Sequence, residues 1–154
     1  MIAVDLPDEA ATESLAARLA GLAVRGDVIA LSGPLGAGKT VFARAFIRAA
    51  GAADDAVPSP TFTLVQTYEG RGATIWHFDC YRLADAEEAW ELGIEEAFAE
   101  GISLIEWPER IARLLPRNRL DLALSDGPTP TSRRATLSAS REWGPRLAEL
   151  TTGA

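Results

Sequence analysis

The sequence of 154 residues predicts a three-layer α/β protein whose mainly parallel central sheet carries antiparallel strands at its edges. Three observations support this prediction. The continuous apolar run 28–32 is typical of a strand that is covered on both faces in a parallel sheet. It leads into the glycine-rich stretch 33–40, and a helical pattern follows. The runs 120–124 and 135–139 alternate apolar with polar residues, as half-buried antiparallel strands do.

Composition limits the possible classes of protein. With 47% apolar residues the chain can bury a substantial core, and its length suits a single domain over residues 1–154. The formal net charge of −7 argues against a broad electrostatic grip on nucleic acid. Cys80 has no partner for an internal disulfide, and the N-terminus lacks the features of a signal peptide. Since no apolar run approaches the ~20 residues that cross a bilayer, we expect a cytoplasmic protein without a membrane partner.

The elements up to the second helix follow from caps and periodicity. Residues 2–6 predict a short strand, and Asp8 after a proline predicts the cap of a helix. That helix runs to residue 22 or so, because Ala11, Leu15, Leu19 and Leu22 recur at helical spacing. The helix after the glycine-rich stretch begins at Lys39 and ends near Gly51.

The rest of the chain predicts a hairpin, short helices and a second buried strand. Prolines give a stiff, non-helical entry to the hairpin, and a glycine-containing turn joins its two strands. The predicted elements here are a strand over 62–68, a strand over 74–79, two short helices between 85 and 100, a strand over 102–105, a helix from Pro108 to about Leu114, and a final helix over 142–150.

The stretch 33–40 predicts a phosphate-binding loop and, with it, the P-loop NTPase fold. It fits Gly-x-x-x-x-Gly-Lys-[Ser/Thr] at every fixed position. Its glycines let the backbone turn N–H groups inward, and the next helix adds its positive end. Lys39 is also the only lysine of the chain, and an arginine fork cannot replace its compact charge. A plain glycine-rich turn is the alternative.

Hydrolysis at such a loop needs a divalent ion and a carboxylate, and two carboxylates end apolar strands. Asp79 ends the strand 74–79, and Glu106 follows the strand 102–105. Mg²⁺ takes oxygen ligands, so the Thr40 hydroxyl, one carboxylate, phosphate oxygens and waters would suffice. We favour Glu106 as the direct or water-mediated ligand, because its strand is the better buried one. Asp79 would then hold a metal-bound water or orient the attacking water.

Five further residues near these strand ends allow more than one interpretation. Thr61 lies either in a loop that senses a γ-phosphate or in a proline-stiffened turn. Trp107 either contacts the nucleotide or covers the core. Arg82 reaches a phosphate or forms a surface salt bridge. His77, the only histidine, is more typical of a packed residue of the sheet than of a catalytic one, and Cys80 is typical of a small buried hydrophobe.

Five segments of the chain occur in an order that is characteristic of one family. They are Gly33–Thr40, Ser59–Val65, His77–Leu83, Glu91–Ile94 and Leu104–Glu109. The Ser-Pro-Thr and His-x-Asp-x-Tyr-Arg pieces are far more specific than the phosphate loop, which many unrelated proteins share. From about residue 5 to residue 140 the chain resembles the TsaE (YjeE) family, the P-loop ATPases of bacterial tRNA threonylcarbamoyladenosine biosynthesis.

The resemblance implies a weak ATPase that is stimulated by the TsaB and TsaD proteins, which transfer a threonylcarbamoyl group to the adenosine beside the anticodon. tRNA is then contacted only through that complex. Thr40 and Glu106 look like Mg²⁺ ligands and Asp79 like a catalytic or metal-site acid, while Thr12 and Arg133 fall near the nucleotide base. The predicted catalytic residues are Lys39, Thr61, Asp79 and Glu106, the metal ligands Thr40, Asp79 and Glu106, and the ATP-binding residues Thr12, Gly33, Gly36, Ala37, Gly38, Lys39, Thr40, Val41, Trp107 and Arg133.

Two other functions are compatible with a phosphate loop. A small-molecule kinase would carry a substrate-binding insertion and an arginine-bearing lid, whereas the segment 84–100 is short and acidic. A nucleotide-gated binding module would have no useful turnover. We expect instead a switch, in which Mg²⁺-ATP orders the loop 59–61 and hydrolysis releases a partner. The acidic segment either contributes to docking or is a solvated helix face.

Overall fold

Seven strands form one mixed sheet in the computed structural model, which describes residues 1–51, 64–140 and 142–152. The strands are β1 (Ile2–Leu6), β2 (Val28–Ser32), β3 (Val65–Glu69), β4 (Thr74–Asp79), β5 (Ile102–Glu106), β6 (Leu120–Asp126) and β7 (Arg133–Ala139). The helices are α1 (Glu9–Leu22), α2 (Lys39–Ala49), α3 (Glu88–Glu91), α4 (Ile94–Glu100) and α5 (Trp143–Thr152), and a 3₁₀ helix covers Pro108–Leu114.

The middle of the sheet is parallel and its edges are antiparallel, as predicted. The strand order is β1-β7-β6-β2-β5-β4-β3. β2 pairs in parallel with β5 and β6, and β4 pairs in parallel with β5. β3 closes one edge against β4, while β7 and β1 extend the other edge in antiparallel pairs. The carboxyl ends of β2, β4 and β5 therefore meet at one edge of the sheet.

Alternate side chains of the strands enter two separate cores. Ile29 and Leu31 of β2 pack on one face with α1, α2 and α5. Val28, together with Phe78 and Ile105 of the neighbouring strands, packs on the other face with α3, α4 and the 3₁₀ helix. Because side chains of a strand point to opposite faces in turn, this division places the sheet between two layers of helices. The mixed, three-layer arrangement is the predicted one.

Two predicted elements differ from the observed ones. The strand expected over 62–68 begins at Val65 within the described residues, because Leu64 has φ 66°, outside the extended region. The helix expected from Pro108 is a 3₁₀ helix, since the N–H of Arg110 bonds to the carbonyl three residues before it. Ile111, with φ −126°, kinks this helix in its middle. No helix of the described part of the chain has both the length and the apolar character that crossing a membrane requires.

An ion pair attaches α5 to the start of β2. Asp27 is 3% exposed, and its two carboxylate oxygens accept hydrogen bonds of 2.6 and 3.0 Å from the guanidinium of Arg146. The same guanidinium donates to the carbonyl of Leu22 at the end of α1 and lies 3.9 Å from the ring centroid of Trp143. One arginine of α5 thus joins α1, β2 and the buried Trp143.

Replacing this arginine is expected to destabilise the fold. Arg146→Ala leaves the buried carboxylate of Asp27 without its charged partner, although the N–H of Val24 still donates to it, which should lower the free energy of unfolding by roughly 3 kcal/mol. The matched control is Arg134→Ala, because the ion pair of Arg134 with Asp5 is exposed and 3.7 Å long. That control should change the free energy of unfolding by about 0.5 kcal/mol or less. Urea denaturation measures both, and equal effects of the two variants would contradict the prediction.

Candidate functional site

The stretch 33–40 forms a loop between the carboxyl end of β2 and the start of α2. Gly33, Gly36 and Gly38 have φ values of 140°, 80° and 100°, which side chains rarely adopt. A Cβ atom on Gly33 would also overlap the carbonyl oxygen of Leu124 in β6. Ala37, within the loop, has a buried side chain. Among the described residues no side chain forms a capping hydrogen bond at the start of α2. The N–H groups at the start of this helix can therefore meet an anion.

Gly33→Ala is expected to unfold or strongly destabilise the protein. The added methyl group meets backbone atoms of β6 in a conformation that already disfavours side chains, so a loss of roughly 3 kcal/mol or more is expected. Gly21→Ala is the control, since Gly21 lies in α1 with open space around it. That control should raise stability by roughly 0.5 kcal/mol or more. Thermal unfolding measures the stability of the two variants, and a Gly33→Ala variant of parental stability would refute the close approach of Gly33 to β6.

The ammonium group of Lys39 is enclosed by the loop and by an aromatic ring. Its Nζ donates hydrogen bonds to the carbonyl oxygens of Gly33 and Pro34, the second of them 3.0 Å long. It lies 4.0 Å from the ring centroid of Trp107. Burial lowers the pKa of Lys39 below its ordinary value, although the carboxylate of Glu106 opposes this shift. The cation thus lies at the carboxyl end of the sheet, beside the strand-end acids.

The two predicted acids lie side by side at this edge of the sheet. Asp79 of β4 and Glu106 of β5 are partners in the strand register, and they are 9% and 4% exposed. The hydroxyl of Thr40, in the first turn of α2, is 3.2 Å from Oε1 of Glu106. The structure therefore brings together the hydroxyl and both carboxylates that the sequence predicts as metal ligands.

The environment of Asp79 favours its protonated form relative to a free carboxyl. Burial raises the pKa of Asp79 above its ordinary value. The N–H of Tyr81, which donates a 3.0 Å hydrogen bond to Oδ1, opposes the rise, and the charge of Glu106 adds to it. A carboxylate with a raised pKa binds a proton more readily than an exposed one, which suits a group that accepts a proton from water.

Trp107 covers the core, which is one of the two roles that the sequence allowed, and it also borders the acidic edge of the site. Its backbone has φ 59°, a strained value for a non-glycine residue, directly after Glu106. One part of the side chain packs against the core that contains α3 and α4. The ring also contacts Tyr81, with centroids 4.7 Å apart, and lies under the Lys39 ammonium. Trp107 therefore covers the core and borders the site.

Two pockets adjoin the loop and divide the predicted residues between them. The acidic pocket has a volume of ≈ 400 Å³, and the α1 pocket has a volume of ≈ 490 Å³. The acidic pocket is lined by Leu35, Lys39, Thr40, Asp79, Tyr81, Arg82, Glu106 and Trp107, and the α1 pocket by Asp8, Glu9, Thr12, Pro130, Thr131 and Arg133. Gly36, Gly38 and Val41 line both pockets, so the loop forms their common wall.

Arg133 reaches the loop from the far side of the α1 pocket. Its Nη2 donates a 3.1 Å hydrogen bond to the carbonyl of Gly36, and its Nη1 bonds to the carbonyls of Pro130 and Ser132. Thr12, on the buried side of α1, lines the same pocket. The two residues that were placed by resemblance alone therefore lie together beside the loop, whereas Thr61 lies outside the described residues.

The residues present fit a magnesium ion that completes its coordination with a bound molecule. Among the described residues no group of three or more His, Cys, Asp or Glu can hold a metal. Thr40 and Glu106 offer only oxygen atoms, and Mg²⁺ usually keeps waters and takes phosphate oxygens beside one or two carboxylates. A protein-only metal cage is thus not what these residues form.

His77 is a part of the site that the sequence interpretation missed. It is fully buried in β4, as expected, but its Nε2 lies 2.6 Å from Oε2 of Glu106. The signal was available, because His77 precedes Asp79 by two residues and so shares its face of the strand. Cys80 is buried, as predicted, and burial raises the pKa of its thiol to about 12, which favours the protonated thiol over the thiolate at neutral pH.

Comparison with known proteins identifies the family. The sequence model of the family "Threonylcarbamoyl adenosine biosynthesis protein TsaE" matches residues 6–135. The tRNA threonylcarbamoyladenosine biosynthesis protein TsaE of Rickettsia conorii is 46% identical over 110 residues, which cover 71% of this chain and 63% of that protein. The protein of the same name from Bacillus subtilis is 39% identical over 119 residues, 77% of this chain and 72% of that protein.

A solved structure is similar over nearly the whole chain. The crystal structure of YdiB from Bacillus subtilis superimposes with a TM-score of 0.78 at 29% identity, covering 98% of this chain and 93% of that one. The match to the Rickettsia conorii protein spans less than two thirds of that relative's length. Because the family model covers most of the sequence, the chain belongs to the TsaE family of threonylcarbamoyl adenosine biosynthesis proteins.

Proposed function

We propose that this protein is a Mg²⁺-dependent ATPase of the P-loop NTPase fold that acts in tRNA threonylcarbamoyladenosine biosynthesis in the cytoplasm. It would work as a nucleotide-dependent switch for the TsaB and TsaD proteins, and contact tRNA only through them. The observation that carries this proposal is the pair of pockets that share the loop 33–40: one contains Lys39, Thr40 and the two strand-end acids, and the other lies between the start of α1 and Arg133. The names of the relatives supply the pathway.

Each of the two pockets would accommodate one part of the ATP molecule. The triphosphate would lie along the loop into the acidic pocket, where backbone N–H groups and Lys39 meet its charge. The adenine and ribose would enter the α1 pocket, between Thr12, Val41 and Arg133. Lys39 would then exchange its bonds to the carbonyls of Gly33 and Pro34 for bonds to phosphate oxygens. Such an exchange keeps the buried ammonium hydrogen-bonded in both arrangements.

Hydrolysis needs an oriented water and a group that accepts its proton. The water oxygen would attack the γ-phosphorus while the bond from this phosphorus to the bridging oxygen breaks, giving ADP and phosphate. Asp79 would orient the water and accept its proton, since burial raises its pKa. Thr40 and Glu106 would hold Mg²⁺, which when bound neutralises charge on the phosphate oxygens. Thr61 would sense the γ-phosphate.

The mouth of the acidic pocket is suited to contact with a partner. Leu35, on the loop, is 73% exposed, and Tyr81 is 40% exposed. Both line the acidic pocket, beside the space where a γ-phosphate would lie. A partner that covers these apolar side chains would shield the site from bulk water, which strengthens its electrostatic interactions, and would sense whether it holds ATP, which fits stimulation by TsaB and TsaD.

The alternative of a small-molecule kinase gains no support from the described residues. The segment 84–100 contains α3 and α4, which are four and seven residues long. Its side chains Ala89, Ile94 and Ala97 are buried in the core. A segment packed on the sheet in this way does not form a lid over the acidic pocket. Its exposed acids remain candidates for partner docking.

The decisive experiment measures ATP hydrolysis and tRNA threonylcarbamoylation with and without TsaB and TsaD. We expect slow hydrolysis alone, stimulation by the two partners, and loss of both activities in Glu106→Ala. A second arm incubates the protein with ATP, Mg²⁺ and a metabolite panel. A phosphorylated metabolite would establish the kinase instead, and nucleotide binding without hydrolysis under any condition would leave a binding module.

A further inference from the structure

The only histidine of the chain touches the carboxylate that would hold magnesium. His77 is fully buried and Glu106 is 4% exposed, and Nε2 of His77 lies 2.6 Å from Oε2 of Glu106. A carboxylate that holds magnesium is ionised and has no hydrogen to donate, so in that role of Glu106 the hydrogen of this bond lies on Nε2. His77 would then donate a buried, charge-assisted hydrogen bond.

The two oxygens of Glu106 have different principal neighbours. Oε2 accepts from His77 in β4, while Oε1 is 3.2 Å from the hydroxyl of Thr40 in α2, nearer than Oε2 at 3.5 Å. The last torsion of a glutamate side chain is broad, so a carboxylate with one partner rotates readily. With His77 on one oxygen, the other oxygen is directed towards Thr40.

We propose that His77 is a positioning residue that orients Glu106 for the magnesium ion. This inference rests on the proposed function, since it assigns Glu106 and Thr40 to the metal. His77 is held in the middle of β4, paired in parallel with β5, so the donor is fixed by the sheet. A fixed donor preorganises the ligand before the ion arrives, and loss of such a partner typically weakens metal affinity by roughly 10- to 100-fold.

The first test uses NMR on the untagged protein without nucleotide or metal. Since the chain has one histidine, its ring nitrogens are assigned without ambiguity. We expect a hydrogen on Nε2 that exchanges slowly with water, and loss of this slow exchange in Glu106→Ala. A hydrogen on Nδ1 alone, or a ring spectrum that Glu106→Ala leaves unchanged, would overturn the proposal.

The second test compares His77→Gln with His77→Met. The glutamine amide keeps an N–H donor at about the reach of Nε2, whereas methionine fills similar space without a donor. With a non-hydrolysable ATP analogue, calorimetry should show Mg²⁺ affinity weakened roughly 10-fold or more in His77→Met and largely restored in His77→Gln. Analogue affinity in EDTA should match the parent in both variants, and circular dichroism checks that both are folded.

The outcomes separate this inference from the proposed function. Equal Mg²⁺ affinity in the parent and His77→Met, or equal losses in both variants, would refute the positioning role while leaving the ATPase in place. A parent protein that binds the analogue without any dependence on Mg²⁺ would refute the magnesium assignment, and with it the role of His77 towards the ion. In that case the NMR result still decides whether His77 orients Glu106.

Discussion

Lys39→Arg is expected to reduce ATP affinity by roughly 10- to 100-fold although the charge is retained, since hydrogen bonds to charged groups contribute about 1.5–3 kcal/mol. The ammonium occupies a narrow space between the carbonyls of Gly33 and Pro34 and the ring of Trp107. A planar guanidinium is too wide to enter this space and still present its hydrogens to phosphate oxygens. Calorimetric titration with ATP and Mg²⁺ measures the loss.

The matched control exchanges one basic residue for the other at a position where no ligand is expected. Arg117 is exposed and lies just before β6, at the end of the sheet opposite to the loop. Arg117→Lys should leave ATP affinity unchanged. If Lys39→Arg binds ATP as tightly as this control, the assignment of the loop to phosphate is wrong.

Glu106→Gln is expected to reduce ATP turnover by roughly 100-fold or more, because electrostatic stabilisation of the transferred phosphoryl group then loses its metal. The amide keeps the shape of the side chain and can still accept a hydrogen bond from His77, so the fold should be little affected. ATP affinity measured in EDTA should stay near that of the parent. The measurement is phosphate release, alone and with TsaB and TsaD.

Two further substitutions test whether the loss of turnover in Glu106→Gln is due to the magnesium ion. Glu109→Gln removes an exposed carboxylate three residues along the chain and should leave turnover near the parental rate, which excludes a general charge effect. Asp79→Asn should slow turnover while the dependence on Mg²⁺ concentration persists, because Asp79 is assigned to the water. A shifted Mg²⁺ dependence in Asp79→Asn, with none in Glu106→Gln, would exchange the two roles.

Local sequence signals predicted the elements of the fold well. The cap at Asp8, whose side chain accepts from the N–H of Ala11, and the unbroken apolar run of β2 each specify one element without reference to distant residues. The alternation in β6 and β7 likewise predicted their antiparallel pairing. Such signals succeed because caps and periodicities act within a few residues.

Two contacts between distant parts of the chain were not predicted. The bond of His77 to Glu106 spans 29 positions, and that of Asp27 to Arg146 spans 119. The alternation of β4 places His77 on the same face as Asp79, but no local pattern pairs His77 with Glu106 or Asp27 with Arg146. Their proximity depends on the order of the strands and on where α5 packs. The residues beside the loop were predicted where a motif or a family resemblance named them, and His77 was missed because it looked like ordinary core.

The ion pair between Asp27 and Arg146 indicates that the fold depends on α5 for part of its stability. The family model ends at residue 135, before α5, yet Arg146 neutralises a carboxylate at the root of the strand whose other end carries the loop. A protein that ends before α5 would leave the carboxylate of Asp27 without its guanidinium partner and uncover the core that Trp143 fills. The last helix therefore helps to hold the strand that supports the site, and we expect a protein without α5 to be less stable than the full chain.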